Sequence, residues 1–232
     1  MTINPDHYTR QTGIIHPEKL TMPIQIVGAG GIGGWTSLAL AKMGCENIKV
    51  TDFDTVEDGN LGSQIFSLGD LGSKKVEALK DKVSMMTGLD IYAEHDYFGN
   101  TAFSLEDGHI VIGAVDNIQT RKDIFREWKM YIPRADSTSP KFWFIDGRMA
   151  RNEIQIYTMS SHDLDKIAEY ESTLHSQDEI EPIPCSERAV VYNVFVVAGL
   201  ITSIVAKIAN GEKPAFELIA DLRNHTLFGG LD

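Results

Sequence analysis

The sequence predicts an α/β fold, doubly wound around a mainly parallel sheet with an antiparallel extension, and three observations carry that expectation. A short apolar run, Ile24, Ile26 and Val27, leads directly into Gly28, Gly30 and Gly33. Trp35, Leu38, Ala39, Leu40 and Met43 follow at helical spacing, and Gly44 is placed to stop the helix. A second apolar run over 48–51 ends on Asp52. Strand, glycine turn, helix, strand and acidic residue in that order make a Rossmann-like dinucleotide fingerprint in its proper context. In that pattern Gly28 allows the tight turn, Gly30 lets backbone approach a phosphate, and Gly33 lets helix and strand pack closely. The N–H groups of the new helix face an anion, and Asp52 is set to accept from ribose hydroxyls. Glycines alone would serve any βα turn; the flanking pattern favours an adenine nucleotide.

The other elements follow in order. Residues 1–23 read as an arm with a short helix, and within it His7 to Gln11 contain nothing a core requires. The Gly-, Asp-, Asn- and Ser-rich stretch 55–71 is too long for an ordinary connection and reads as a functional loop. Val76, Leu79, Val83 and Met86 set one face of a helix over 73–86 that Gly88 ends. Strands are expected at 91–94 and 109–115, the second delivering Asp116 and Asn117 where ligands sit in open α/β sheets. A helix over 118–131, a loop over 133–140 and strands over 142–146 and 154–159 come next, the strands joined through 147–151. A helix over 160–170 and a polar, proline-containing loop over 171–187 lead into a long apolar helix at 189–208. Short strands at 216–219 and 226–228 complete the antiparallel extension.

Length and composition bound the function. At 232 residues, with 43% apolar and 23% charged residues, the chain reads as one globular domain over 1–232. A formal charge of −12 without a basic stripe argues against nucleic acid as a partner. Two cysteines, Cys45 and Cys185, suit a reducing compartment, and the polar first ten residues lack the apolar segment of a secretory signal, so a cytoplasmic protein is expected. The 189–208 stretch is long enough to cross a membrane, but Asn193, Thr202, Ser203 and Lys207 interrupt it. It reads instead as a buried helix that needs cover on several sides, which implies a homodimer.

Several separated pieces together resemble the ThiF/MoeB adenylyltransferases, relatives of the ubiquitin-activating enzymes. They are Arg10 in Tyr8-Thr9-Arg10-Gln11, the glycine turn, Asp52-Phe53-Asp54-Thr55-Val56, Asn60-Leu61, Gln64, Gly72 with Lys75, and Val115-Asp116-Asn117 with Arg121. The resemblance spans essentially the whole chain. It implies that ATP adenylates the C-terminal carboxylate of a ubiquitin-like protein, a sulfur-carrier protein or a peptide, releasing pyrophosphate. Such chemistry demands charge neutralisation on the triphosphate more than a base, since the nucleophile is already ionised. By the resemblance, Lys75 binds phosphate oxygens, Asp116 holds Mg²⁺, Asp52 holds the ribose, and Asn60 and Gln64 line the phosphates. Gly28, Gly30, Gly33, Asp54 and Asn117 complete the nucleotide site, and Arg10 reaches the nucleotide of a neighbouring subunit. Singly, Lys75 would be a solvated helix lysine and Asp116 a turn residue; their common order weighs against that.

The chain departs from the family pattern in two places. Where Asn-Leu-x-Arg-Gln is usual, this sequence has Asn60-Leu61-Gly62-Ser63-Gln64, so an arginine over the phosphates is replaced by Ser63. Losing one charge-assisted contact costs about 1.5–3 kcal/mol, and Arg148 and Arg151 are the candidates to offset it. The paired Cys-x-x-Cys motifs of a structural zinc site are absent, so no structural zinc is expected. Cys185, in Glu181-Pro182-Ile183-Pro184-Cys185-Ser186, resembles the crossover-loop cysteine that some members use for a covalent link; an unreactive loop cysteine is the alternative. Two other functions compete: an NAD-dependent oxidoreductase, favoured only by the glycine turn and Asp52, and a degenerate nucleotide-binding scaffold, favoured by Ser63.

Overall fold

The computed structural model describes residues 5–99, 103–105, 108–132, 141–174 and 190–230. Strand β1 (Ile24–Val27) is buried along its whole length. It pairs in parallel with β2 (Ile48–Thr51) on one side and β4 (Ile110–Gly113) on the other. β3 (Tyr92–Glu94) continues the sheet beyond β2 and β5 (Trp143–Ala150) beyond β4, both parallel. From β5 the pairing reverses, and β6 (Glu153–Ser160), β7 (Glu217–Asp221) and β8 (Thr226–Gly229) run antiparallel in turn. Among the described residues the order is β3-β2-β1-β4-β5-β6-β7-β8, a parallel core with an antiparallel extension as the sequence predicts.

Both faces of the parallel part of the sheet are covered, which is why β1 and β4 are nearly uninterrupted apolar runs. Helices α1 (Gly31–Met43), α2 (Lys75–Thr87) and α5 (Val191–Ala209) bury the aliphatic face. Helices α3 (Ile118–Met130) and α4 (Leu164–Ser172) close the other around an aromatic cluster of Phe125, Trp128, Phe142, Phe144, Tyr157 and Tyr170. α1 follows β1 and α3 follows its neighbour β4 on opposite faces, so the sheet's switch point lies between the ends of these two strands. Ligands of open α/β sheets bind there.

Three expectations are corrected. The segment 147–151 is mostly strand, not a connection: Gly147 pairs with Ile156 and Ala150 with Glu153, leaving Arg151 and Asn152 as the turn. A glycine and two arginines look like a loop locally. In the fold Gly147 makes room for Ile32 and Ile201, and the Arg148 guanidinium lies 4.8 Å from the centre of the Tyr157 ring on β6. The N-terminal arm does contribute to the core. Tyr8 is buried against Gly44, which holds a left-handed φ of 108°, and Gln11 Nε2 donates to the Met43 carbonyl at 2.6 Å. Helix α5, finally, buries Val194, Val197, Ile201, Ile204 and Val205 but leaves Val191, Tyr192 and Phe195 exposed. It has the length and apolarity to cross a membrane, and its inner face packs against α1, β5 and β6. The 133–140 loop and most of the 171–187 loop, with Cys185, lie outside the described residues.

Candidate nucleotide site

The three glycines at the end of β1 serve different ends. Gly28 takes a φ of 103°, and a Cβ there would sit 2.5 Å from the Ala114 carbonyl oxygen. A Cβ on Gly33 would come within 1.8 Å of the Gly28 carbonyl oxygen. These two are fixed by packing. At Gly30 a Cβ would meet only Gln64 Nε2, at 3.9 Å, so here the space is left open. Gly30 is the N-cap of α1 and supplies no side-chain cap, so the first-turn N–H groups have no side-chain acceptor from it.

Asp52 ties the turn together. Its Oδ2 accepts from Ala29 N–H at 2.6 Å and its Oδ1 from Asp54 N–H at 2.7 Å. Each carboxylate oxygen has a second lone pair, so these bonds leave acceptor capacity for a ribose hydroxyl. Asp54 in turn accepts from Lys75 Nζ at 2.7 Å through Oδ2, and its carbonyl accepts from Lys75 N–H at 3.0 Å. Lys75, the first residue of α2, is buried rather than solvated.

The 55–71 loop folds back over the turn. A bridge between Thr55 and Lys74 and reciprocal backbone bonds of Val56 with Gly72 and Ser73 close its base. Trp35 Nε1 on α1 donates to the Ser63 carbonyl at 3.0 Å, and Ile65 packs on Gly34. That clamp delivers Gln64 to Gly30, and Gln64 Oε1 is buried with no hydrogen-bond partner among the described residues. Asn60 caps its own turn, its Oδ1 accepting from Glu57 N–H at 2.9 Å. Trp35 is a positioning residue that the motif does not single out; its sequence signal is an indole in the first turns after the glycine fingerprint.

Asp116 is exposed at the exit of β4, and Asn117 caps α3 by accepting from Thr120 N–H at 3.0 Å. Gly28 against Ala114 brings this exit beside the glycine turn. Arg10 is elsewhere: the arm docks at the C-terminal end of α1, and the 13-residue helix separates it from the turn by roughly 20 Å. Arg148 is committed to Asp146 and Thr173, so it does not stand in for the arginine missing at Ser63. Cys45 is buried, and burial pushes its thiol up to about 12, as suits a structural residue.

An open glycine at an uncapped helix start, a buried amide oxygen without a partner and a buried lysine fit an anionic nucleotide. Among the described residues no three His, Cys, Asp or Glu side chains gather as a metal cluster. A single carboxylate at a strand end suits Mg²⁺, which takes most of its ligands from water and phosphate.

The fold is Rossmann-type, and its family match is to the E1-like class of proteins. The ThiF family profile matches residues 15–227, and the chain belongs to that family. It is 32% identical over 119 residues to tRNA threonylcarbamoyladenosine dehydratase 2 of Saccharomyces cerevisiae, covering 46% of this chain and 26% of that protein. Over 102 residues it is 33% identical to adenylyltransferase and sulfurtransferase MOCS3 of Culex quinquefasciatus, covering 42% and 23%. Over 113 residues it is 34% identical to SUMO-activating enzyme subunit 2 of Dictyostelium discoideum, covering 46% and 17%. The chain thus spans a minor part of the length of these relatives. Escherichia coli MccB, solved with MccA, shares the fold with a TM-score of 0.70 at 16% identity, covering 98% of this chain and 71% of that one. PaaA shares it with a TM-score of 0.66 at 20% identity, covering 97% and 72%.

Proposed function

We propose that this protein is an ATP-dependent adenylyltransferase acting on the C-terminal carboxylate of a ubiquitin-like protein, a sulfur-carrier protein or a peptide. The observation that carries the reading is the convergence of Gly30, Gln64 and Lys75 at one end of the sheet, with the β4 exit that carries Asp116 packed against the same turn. ATP supplies an electrophilic α-phosphorus and a pyrophosphate leaving group. The residues supply charge and placement. The α1 N–H groups and Lys75 would receive phosphate oxygens, Asp52 would receive the ribose, and Asp116 would hold Mg²⁺, which would supply positive charge to the triphosphate. Asn60, Asp54, Gln64 and Asn117 shape the surrounding wall. An ionised carboxylate substrate needs no general base, and the reading assigns none. The names of MOCS3 and the SUMO-activating subunit support this chemistry, and the ThiF profile supports the nucleotide. An NAD-dependent oxidoreductase would leave Lys75 and Asp116 without a purpose.

The same reading makes the protein a cytoplasmic homodimer. Arg10 is too far from its own glycine turn to serve it. α5 runs from beside Gly31, where Val194 packs, to Asn210, whose Nδ2 donates to the Ile14 carbonyl of the arm at 3.0 Å. Two copies packed antiparallel along the exposed α5 face would bring the arm of each to the site of the other. Incubation with ATP and a peptide tests the proposal: mass spectrometry is expected to find AMP joined to a free C-terminal carboxylate and not to its amidated counterpart. Equal reaction of the amidated peptide would contradict it.

A further inference from the structure

Asp146, at the level where β4 ends and β5 overhangs it, is wholly buried, and its carboxylate is shared by three side chains. Arg121 Nε donates to Oδ1 at 2.9 Å, Arg148 Nε to Oδ2 at 2.7 Å and Tyr170 Oη to Oδ2 at 3.0 Å. Burial, and after it the Asp146 charge, hold the Tyr170 phenol well above its ordinary value, so it stays a donor. Burial alone would lower the Arg148 pKa; the contacts with Asp146 and Tyr170 together raise it. Two guanidiniums on one carboxylate leave a buried excess of positive charge, and such clusters are poor sources of stability compared with apolar packing. Their value lies in what they hold in place.

The two arginines hold different things. Arg121 Nη2 donates to the Val115 carbonyl and, at 3.4 Å, to the Gly147 carbonyl. Val115 immediately precedes Asp116, so this guanidinium ties the peptide ahead of the proposed metal carboxylate to the start of the overhanging hairpin. Arg148 turns the other way, its Nη2 donating to Thr173 Oγ1 at 3.0 Å. We propose that Asp146 and Arg121 are positioning residues that fix the Val115–Asp116 peptide, and so the direction in which Asp116 meets a divalent cation on the bound triphosphate. The proposal rests on the metal role given to Asp116 above. Arg148, on the same carboxylate but remote from that peptide, is the internal control.

The test is calorimetric titration of the whole protein with ATP, with and without Mg²⁺. Wild type is expected to bind ATP more tightly when Mg²⁺ is present. Arg121→Lys keeps a cation for Asp146 but lacks the separate Nε and Nη2 donors with which the guanidinium spans the Asp146 carboxylate and the Val115 carbonyl. It is expected to lose about tenfold of the Mg²⁺-dependent gain, the usual scale for a residue behind a metal ligand, with metal-free affinity unchanged. Arg148→Lys is expected to keep the wild-type ratio. A wild-type ratio in Arg121→Lys, or an equal loss in Arg148→Lys, overturns the proposal and leaves the reading of Asp116 standing. A wild type indifferent to Mg²⁺ removes both. Should Arg121→Lys fail to fold, Asp146→Asn is titrated instead; it is expected to lose the same ratio, and its retention overturns the proposal.

Discussion

Lys75 Nζ lies 2.7 Å from Asp54 Oδ2, and the two ends of this pair differ: the lysine side chain is 8% exposed and the aspartate side chain 46%. Under the proposed function, this buried ammonium held by a half-exposed carboxylate also meets the phosphates of ATP. Lys75→Ala should therefore weaken ATP binding by roughly tenfold to a hundredfold, the scale of one lost charge-assisted contact. Titration calorimetry checks this, and unchanged affinity would return Lys75 to a structural role.

The glycines separate folding from binding. Gly33→Ala drives a Cβ into the Gly28 carbonyl and should cost about 3 kcal/mol or more of stability. Gly30→Ala meets nothing closer than 3.9 Å. It should melt within a few degrees of wild type while losing most ATP affinity. Thermal melts and nucleotide titrations of the two variants, compared side by side, distinguish the roles.

Arg10 acting across a dimer predicts complementation. Arg10→Ala and Asp116→Asn should each abolish turnover alone. Refolded together in equal amounts, they should recover roughly a quarter of wild-type activity, because half the dimers are mixed and each has one intact site. No recovery from a mixture shown by light scattering to contain mixed dimers would place Arg10 outside the reaction.

The cysteines should behave differently. With its thiol pushed up to about 12 by burial, Cys45 carries almost no thiolate at pH 8 and should resist alkylation in the native protein. If Cys185 takes a covalent role, it should label first. Cys185→Ser should then keep pyrophosphate exchange but lose any substrate adduct that a reductant releases. Peptide mapping after brief alkylation reads the order, and labelling of native Cys45 ahead of Cys185 would count against the assignment.

What was legible in the sequence was local. The βαβ fingerprint rests on glycine spacing and on hydrophobic period, and both survive without tertiary context. Gly44 and Gly88 stop α1 and α2 where expected because a left-handed cap is a one-residue property. Both strands of the β5–β6 hairpin are legible, but the run of β5 through 147–150 is not, because Arg148 is strand-compatible only through Asp146, Tyr157 and Tyr170, two of them on other elements. Tyr8 and Gln11 were misjudged for the same reason, since their partners lie on the far end of α1. In the site, the motif marks Asp52, whereas its bonds to Ala29 and Asp54 arise only from the folded turn. The Asp146 cluster had one sequence signal, a carboxylate ending the apolar run Phe142-Trp143-Phe144-Ile145.

The central claim is that this site activates a carboxylate with ATP, and exchange of labelled pyrophosphate into ATP tests it most directly. With a polypeptide that supplies the right free C-terminus, wild type should exchange label, and Asp116→Asn, melting within a few degrees of wild type, should not. Label exchanged equally by Asp116→Asn, or none exchanged by wild type with a polypeptide it demonstrably binds together with ATP, would contradict the account.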